Sequence, residues 1–339
     1  MTLKMKAVVL SATGGPEMLE NREVELPWPA SGPDVLVRLT AAALNPADAY
    51  FRGFGPYIET SGPCILGHDG AGIVEATGDG VNTVRPGQRV CFCNGGIGGS
   101  FGTYAEYAVV PESQLALIPE AVDDASAAAL PLVLITAWES LYQRAGLEAG
   151  ERVLIHAGAG GTGHIAVQLA VLKGARVATT VSTAAKAELV TRLGAERAIA
   201  YRNEDFAEAV REWTGGHGVE VALDNLGPEI FRQTIAVVSP YGRLVTLMGT
   251  PGDDQAETAY VNNLTIHNVM MLTPMILGLQ QRLDGQAEIV RQGLQLLAEG
   301  KLQVEIDSRF EPGEIVAAHR RLDLGKASGK IVIDLTAWN

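Results

Sequence analysis

The sequence predicts a mixed α/β chain of two domains, one β-rich and one a doubly wound parallel sheet. Three observations predict it. Short strand-like runs broken by Gly, Pro and Asp fill the first 125 residues, and from about residue 126 apolar runs alternate with helical segments. A glycine-rich turn follows the first of those apolar runs. The length of 339 residues suits two domains at ~150 residues each. Hydrophobic residues at 47% against 19% charged supply real cores and exclude wholesale disorder.

In the first stretch the strands are Lys6–Ala12, Asp34–Leu44, Gly70–Thr77, Gln88–Cys93 and Tyr104–Val110. Between them stand Thr13-Gly14-Gly15-Pro16, Ser31-Gly32-Pro33-Asp34, Gly78-Asp79-Gly80 and Arg85-Pro86-Gly87. Strands closed off by such turn residues make a compact barrel or sandwich. Then come strand Arg152–Ala157 and helix Gly163–Lys173, strand Arg176–Val181 and helix Thr183–Leu193, strand Ala198–Tyr201 and helix Glu204–Trp213, strand Val219–Asp224 and helix Pro228–Val238, and strand Gly242–Met248. Continuous Val/Ile/Leu runs between amphipathic helices mark a parallel sheet covered on both faces. Helix Gly285–Glu299, strand Asp307–Phe310, helix Glu314–Leu322 and strand Lys330–Leu335 close the chain. They are too few for a core of their own, so they return to the first domain. The expected division is 1–125 with 270–339, and 126–269.

Lys and Arg number 26 against 39 Asp and Glu, a formal charge of −13. Phosphate backbones and acidic membrane surfaces select a clustered positive field, so nucleic acid and membrane partners are not expected. Cys64, Cys91 and Cys93 are too few for a disulfide framework and read as reduced thiols. The N-terminal apolar run is too brief for a signal peptide. The longest uncharged window, Thr258–Gln281, carries Asn262, Asn263, Asn268, Thr273, Pro274 and Gln280, which argue against a membrane span. A cytoplasmic protein is expected.

The strongest motif is Gly158-Ala159-Gly160-Gly161-Thr162-Gly163 after Val153-Leu154-Ile155. Gly158, Gly160 and Gly163 fit G-x-G-x-x-G between a strand and a helix, the context in which the pattern binds a dinucleotide. The glycines permit a tight turn and close approach of backbone to a pyrophosphate, whose charge the helix N-terminus favours. NAD sites usually present a carboxylate at the end of the second strand. Here stand Thr180-Val181-Ser182-Thr183, with Lys186 just beyond. A missing acid beside a cation suits the 2′-phosphate of NADPH, with Ser182, Lys186 and Tyr201 as candidate partners.

These features combine with Asn45-Pro46-Ala47-Asp48, Leu66-Gly67-His68-Asp69-Gly70-Ala71-Gly72, Arg85-Pro86-Gly87-Gln88-Arg89-Val90 and Gly102-Thr103-Tyr104-Ala105-Glu106-Tyr107. Together they resemble the medium-chain dehydrogenase/reductase superfamily over nearly the whole chain, and within it the zinc-independent, zeta-crystallin-like quinone oxidoreductases. The resemblance implies a GroES-like catalytic domain, a Rossmann domain for NADP, a cleft between them, and a homodimer joined through the Rossmann sheets.

Zinc-dependent members of the superfamily carry Cys at the place of Asn45, His at His68 and a second Cys near Leu132. Only the histidine is kept here, and catalytic zinc needs three protein ligands. No metal is expected; the rescue set would be Cys64, His68 and Asp69. Without a Lewis acid for an alkoxide, reduction of a quinone or an α,β-unsaturated carbonyl is the expected chemistry. Asn45 is a candidate for positioning substrate or nicotinamide, and Tyr50 and Tyr57 are candidate proton donors to a developing enolate or quinol oxygen. Asp48 is a candidate for holding the loop or the ribose. Thr136 resembles a family threonine beside the cofactor. Asn225 and Gly249 follow strands at the ligand-binding edge. Lys330, in Ser328-Gly329-Lys330, resembles a family cation near the cofactor phosphates, or simply enters a strand. The competing readings are a zinc alcohol dehydrogenase and an NADPH-binding regulatory protein without turnover.

Overall fold

The computed structural model describes residues 3–27, 32–59, 62–98, 101–248 and 256–338. The chain divides into two compact units, Met1–Leu132 with Leu272–Asn339, and Val133–Met271.

The first unit opens with an antiparallel pair, β1 (Lys4–Leu10) and β2 (Leu19–Glu25). Next come β3 (Asp34–Leu44), α1 (Pro46–Phe54), β4 (Asp69–Thr77), β5 (Arg89–Cys93), β6 (Tyr107–Pro111) and β7 (Ala116–Leu117). They are followed by α2 (Asp124–Ala129), whose start is capped by Asp123 accepting from the Ser126 amide, and by the first residues of α3 (Pro131–Trp138), which from Val133 on belongs to the second unit.

The second unit alternates strand and helix. Its elements are β8 (Arg152–Ile155), α4 (Gly161–Leu172), β9 (Arg176–Val181), α5 (Ala184–Arg192), β10 (Arg197–Ala200), α6 (Phe206–Trp213), β11 (Val219–Asp224), α7 (Pro228–Thr234), β12 (Val238–Thr246), α8 (Ala256–Val261) and β13 (Thr265–Asn268). All pairings are parallel, in the order β10-β9-β8-β11-β12-β13. The order reverses between β8 and β11, and in such sheets ligands bind beyond the carboxyl ends of the strands at that reversal. Leu154, Ala178, Ile199, Ala222 and Leu244, one from each of five neighbouring strands, share a buried cluster with Phe206 and Phe231 from the covering helices. Each large apolar side chain so buried contributes about 1.5–3 kcal/mol. The alternate residues Val153, Ile155, Val177, Val221, Leu223 and Val245 are buried as well, and the continuous apolar runs of the sequence follow from burial on both faces.

The chain then returns to the first unit with α9 (Thr273–Ile276), α10 (Gln280–Ala298), β14 (Ile306–Phe310), α11 (Ile315–Asp323) and β15 (Lys330–Asp334). The seven-stranded sheet runs β14-β15-β3-β4-β5-β7, with β6 also on β3. β3 is shared along one edge: β6 pairs with Asp34–Arg38, and β15 pairs antiparallel with Ala41–Leu44. Ile331 lies opposite Leu44, so the register carries Lys330 opposite Asn45.

The mixed α/β class with a parallel sheet stands as expected, and several bounds differ. β2 and β13 are strands that the sequence pattern does not announce. The strand expected over 152–157 stops at Ile155, because Ala157 turns to a left-handed φ of 52°. The strand expected from Tyr104 begins at Tyr107, and α10 begins at Gln280 rather than Gly285.

Candidate active site

In the second unit, β8 ends at the reversal and the chain turns through His156-Ala157-Gly158-Ala159-Gly160 into α4. A side chain on Gly158 would put its Cβ 1.9 Å from Thr179 Oγ1, and one on Gly163 would lie 2.1 Å from the Ala157 carbonyl oxygen. Those two glycines are demanded by the protein's own packing. Gly160 differs: its Cβ would meet only the Ala157 oxygen, at 3.2 Å, and its backbone is extended. The amides of Gly161 and Thr162 stand in the unpaired first turn of α4, next to Gly160, where helix N-termini favour negative charge.

The turn is braced from below. Thr180 Oγ1 accepts the Ala157 amide at 3.0 Å, and Thr179 Oγ1 donates to the Ile155 carbonyl at 2.6 Å. His156 is buried, with Nε2 2.8 Å from Thr234 Oγ1, and burial pushes its pKa down to about 3. Across the reversal Asn225 donates from Nδ2 to the His156 carbonyl at 2.7 Å, while its buried Oδ1 has no partner among the described residues. An orphaned amide oxygen at the sheet edge fits a ligand that brings a donor. Asp224 accepts the Leu226 and Gly227 amides and shapes the next turn; burial raises its carboxyl above the ordinary value despite those bonds.

Ser182 and Tyr201 each follow the end of a strand, and Ala200 pairs with Val181, so the sheet sets the two side by side. Thr183 caps α5 by accepting the Lys186 amide, which fixes the turn on which Lys186 stands. Thr136 is buried on α3. Gly249 lies outside the described residues.

In the first unit the loop after β3 enters a fully buried polar core. Asp48 Oδ2 accepts the Asn45 amide at 2.7 Å and the Tyr104 hydroxyl at 3.0 Å. Asp48 Oδ1 lies 2.5 Å from His68 Nδ1. Burial alone would raise the Asp48 carboxyl, but His68 and the amide of Asn45 hold it below the ordinary range. The carboxylate is an acceptor, so His68 donates from Nδ1; its Nε2 is buried with no partner among the described residues. Asp69 Oδ1 accepts the Leu132 amide at 2.8 Å, and its Oδ2 accepts Asn45 Nδ2 at 2.9 Å and Lys330 Nζ at 3.1 Å. Lys330 Nζ also donates to Asn45 Oδ1.

Asn45 is therefore held on every side by protein, and both ends of its amide are engaged. Lys330 is 3% exposed and has its partners inside the first unit. Tyr50 and Tyr57 stand apart from this core. They are 49% and 51% exposed, with ring centroids 6.4 Å apart, and Tyr50 pushes the Tyr57 phenol above its ordinary pKa. Asp69, Tyr104 and the pair Arg52–His319, at 2.8 Å, join the core without having been expected there in these roles. Only His68-Asp69, adjacent in sequence, gave a signal for it.

The core does not fit a zinc ion. Leu132 offers no ligand, the Asn45 and Asp69 oxygens are occupied by Lys330, and the Cys93 thiol beside Asp69 is held protonated by burial and that carboxylate. His68 Nε2 is the unpartnered ring nitrogen of this core among the described residues, against three protein ligands required. Cys64 is half-buried and its thiol is pushed up by burial. No group of three or more His, Cys, Asp or Glu among the described residues is gathered to hold a metal. No helix among them is long and apolar enough to cross a membrane.

Comparison with known proteins places these features. Residues 31–120 match the family described as Alcohol dehydrogenase GroES-like domain, and residues 193–333 that described as Zinc-binding dehydrogenase. The chain is 32% identical to a quinone oxidoreductase of Pseudomonas aeruginosa, over 97% of this chain and 99% of that protein. It is 33% identical to a 2-haloacrylate reductase of a Burkholderia species, over 96% of this chain and 98% of that protein. It is also 35% identical, over 90% of its length, to a phenolphthiocerol/phthiocerol polyketide synthase protein of Mycobacterium tuberculosis, of which it spans only 14%. Among solved structures, an alcohol dehydrogenase superfamily protein from Novosphingobium aromaticivorans is similar with a TM-score of 0.89 at 33% identity, over 98% of this chain and 99% of that one. A mycobacterial protein complexed with NADPH gives 0.84 at 30%, and an NAD-dependent alcohol dehydrogenase 0.86 at 30%, each over 98% of this chain and 100% of its own.

Proposed function

The chain belongs to the medium-chain dehydrogenase/reductase superfamily, in its quinone oxidoreductase branch, and from that premise we propose an NADPH-dependent reductase of quinones or α,β-unsaturated carbonyls that works without a metal ion. It is an oxidoreductase that uses a nicotinamide cofactor. The observation that supports the reading is the glycine turn from β8 into α4 at the sheet reversal, where a Cβ on Gly160 would meet one oxygen at 3.2 Å, a milder crowding than at Gly158 or Gly163 and consistent with a ligand-facing glycine. The residues that would hold the cofactor are Gly158, Gly160, Gly161, Thr162 and Gly163 for the pyrophosphate, Ser182, Lys186 and Tyr201 for a 2′-phosphate, and Asn225 for a donor on the far side of the reversal. When bound, the cofactor supplies a hydride.

The acceptors named for two relatives, a quinone and a 2-haloacrylate, both carry a C=C bond conjugated to a carbonyl. Hydride at the far carbon leaves an enolate or quinol oxygen, which a proton then neutralises. Tyr50 and Tyr57, whose phenols are solvent-accessible, are the proposed proton donors. Asn45, Asp48 and Lys330 anchor the N-terminus of α1, the helix that carries Tyr50. The same reading takes the chain as a cytoplasmic homodimer joined at β13, the edge of the parallel sheet.

Turnover assays test this. Oxidation of NADPH should proceed with 1,4-benzoquinone or an enone, faster than with NADH, and should survive prior treatment with a chelator. Zinc-dependent oxidation of a primary alcohol, with no quinone reduction, would replace this reading with a zinc alcohol dehydrogenase. Tight NADPH binding with no acceptor turned over would favour a regulatory protein.

A further inference from the structure

The disagreement between this core and a zinc site has a cause that the geometry identifies: we infer that Lys330 is the fixed cation on Asp69 and Asn45 in the first unit's polar core and keeps divalent metal ions out of that place. The inference deepens the metal-free reading and rests on it. A carboxylate taken wholly out of water needs a counter-charge and a full set of hydrogen bonds. Asp69 has both, the counter-charge from Lys330 Nζ at 3.1 Å and further bonds from the Asn45 side chain, the Leu132 amide and the Cys93 thiol. Asp48 is satisfied separately by His68, Tyr104 and the Asn45 amide.

The backbone places the ammonium there. Gly329 has a φ of 80°, and a Cβ on it would lie 2.0 Å from the Glu305 carbonyl oxygen. The Lys330 amide donates to that same carbonyl at 2.8 Å. The strand then pairs Ile331 with Leu44, which leaves the Lys330 side chain at Asn45. A positive charge is thus built in by strand register. The buried Nε2 of His68, in the residue next to Asp69, is a donor atom for which no partner is present among the described residues. A divalent ion would need the oxygens that Lys330 occupies and would suffer repulsion from its charge.

Removing the charge while keeping the length and a hydrogen-bonding end is the test. Purified wild-type protein, Lys330→Gln and the double variant Lys330→Gln with Asp69→Asn are each titrated with cobalt(II) and zinc. Ligand-field absorption of cobalt, bound metal after dialysis and the zinc-induced shift in Tm are read. The expected result is no stoichiometric metal on the wild type, binding roughly tenfold tighter or more on Lys330→Gln, and loss of that gain in the double variant. Folded Lys330→Gln that binds no more metal than wild type overturns the inference. So does a Lys330→Gln protein that stays unfolded in zinc, since the metal ion should replace the missing cation. If wild type carries stoichiometric zinc on which quinone turnover depends, the metal-free function falls as well. If wild type turns over in chelator while Lys330→Gln gains no metal, only the inference about Lys330 falls.

Discussion

Three glycines of one turn have different reasons for being glycine, and substitution separates them. Gly163→Ala drives a methyl into the Ala157 carbonyl, with 2.1 Å between them, and overpacking of this kind costs about 1–3 kcal/mol. Both stability and nucleotide binding should fall. Gly160→Ala meets one oxygen at 3.2 Å on extended backbone, so its stability should change by no more than about 1 kcal/mol. Its affinity for the nucleotide should nevertheless drop about tenfold or more, because the methyl fills the place of a phosphate. Thermal melts paired with calorimetric titration of NADPH check both, and equal losses in the two properties at Gly160 would refute a ligand-facing role. The sequence showed this motif plainly, since its spacing is local. It could not show which glycine faces the protein, because Thr179, which crowds Gly158, arrives from the next strand.

Cofactor choice belongs to the strands. β9 and β10 run parallel and end together, so Ser182 and Tyr201 become neighbours although a helix separates them in the chain. Lys186→Ala with Tyr201→Phe should raise the KM for NADPH by roughly tenfold to a hundredfold, the range for losing charge-assisted hydrogen bonds to a phosphate, and leave NADH almost unaffected. Steady-state kinetics with both nucleotides decide it. The alternation of apolar strands and helices was legible because parallel strands covered on both faces must be apolar throughout. β2 was not: Glu20, Asn21, Arg22 and Glu23 lie on an exposed ribbon and carry no apolar alternation. β13 was missed for a similar reason, being a short edge strand with polar Thr265, His267 and Asn268. The polar core was half visible. His68 and Asp69 stood out, but Lys330 reaches Asn45 across 285 positions, and only the pairing of β15 with β3 brings them together.

Two buried histidines bear on how the molecule responds to mild acid. Burial holds His156 at about 3 and His319 at about 4, against an ordinary value of 6.5. For His319 the Arg52 guanidinium adds to the effect of burial, and the carboxylates of Asp48 and Asp323 only partly offset the two. Below 6.5 the unfolded chain takes up protons that the folded one refuses, so stability falls as the pH is lowered from about 6.5 towards 4. At pH 5 the loss is about 2 kcal/mol per histidine. Urea midpoints measured between pH 7 and 5 should decline, and His319→Gln should flatten the decline; an unchanged slope would contradict the assignment. The first unit is discontinuous, interrupted by Val133–Met271, and β15 closes the C-terminal half of one edge of β3. Removal of residue 330 onward should therefore leave a protease-sensitive first unit around a resistant fragment near 133–271, as limited proteolysis would show. The same layout dictates an order of events on the ribosome. The inserted half is entirely synthesised while the surrounding half still lacks a strand, so one flank of β3 must wait, open to other nascent chains, until Lys330–Asp334 emerges to cover it.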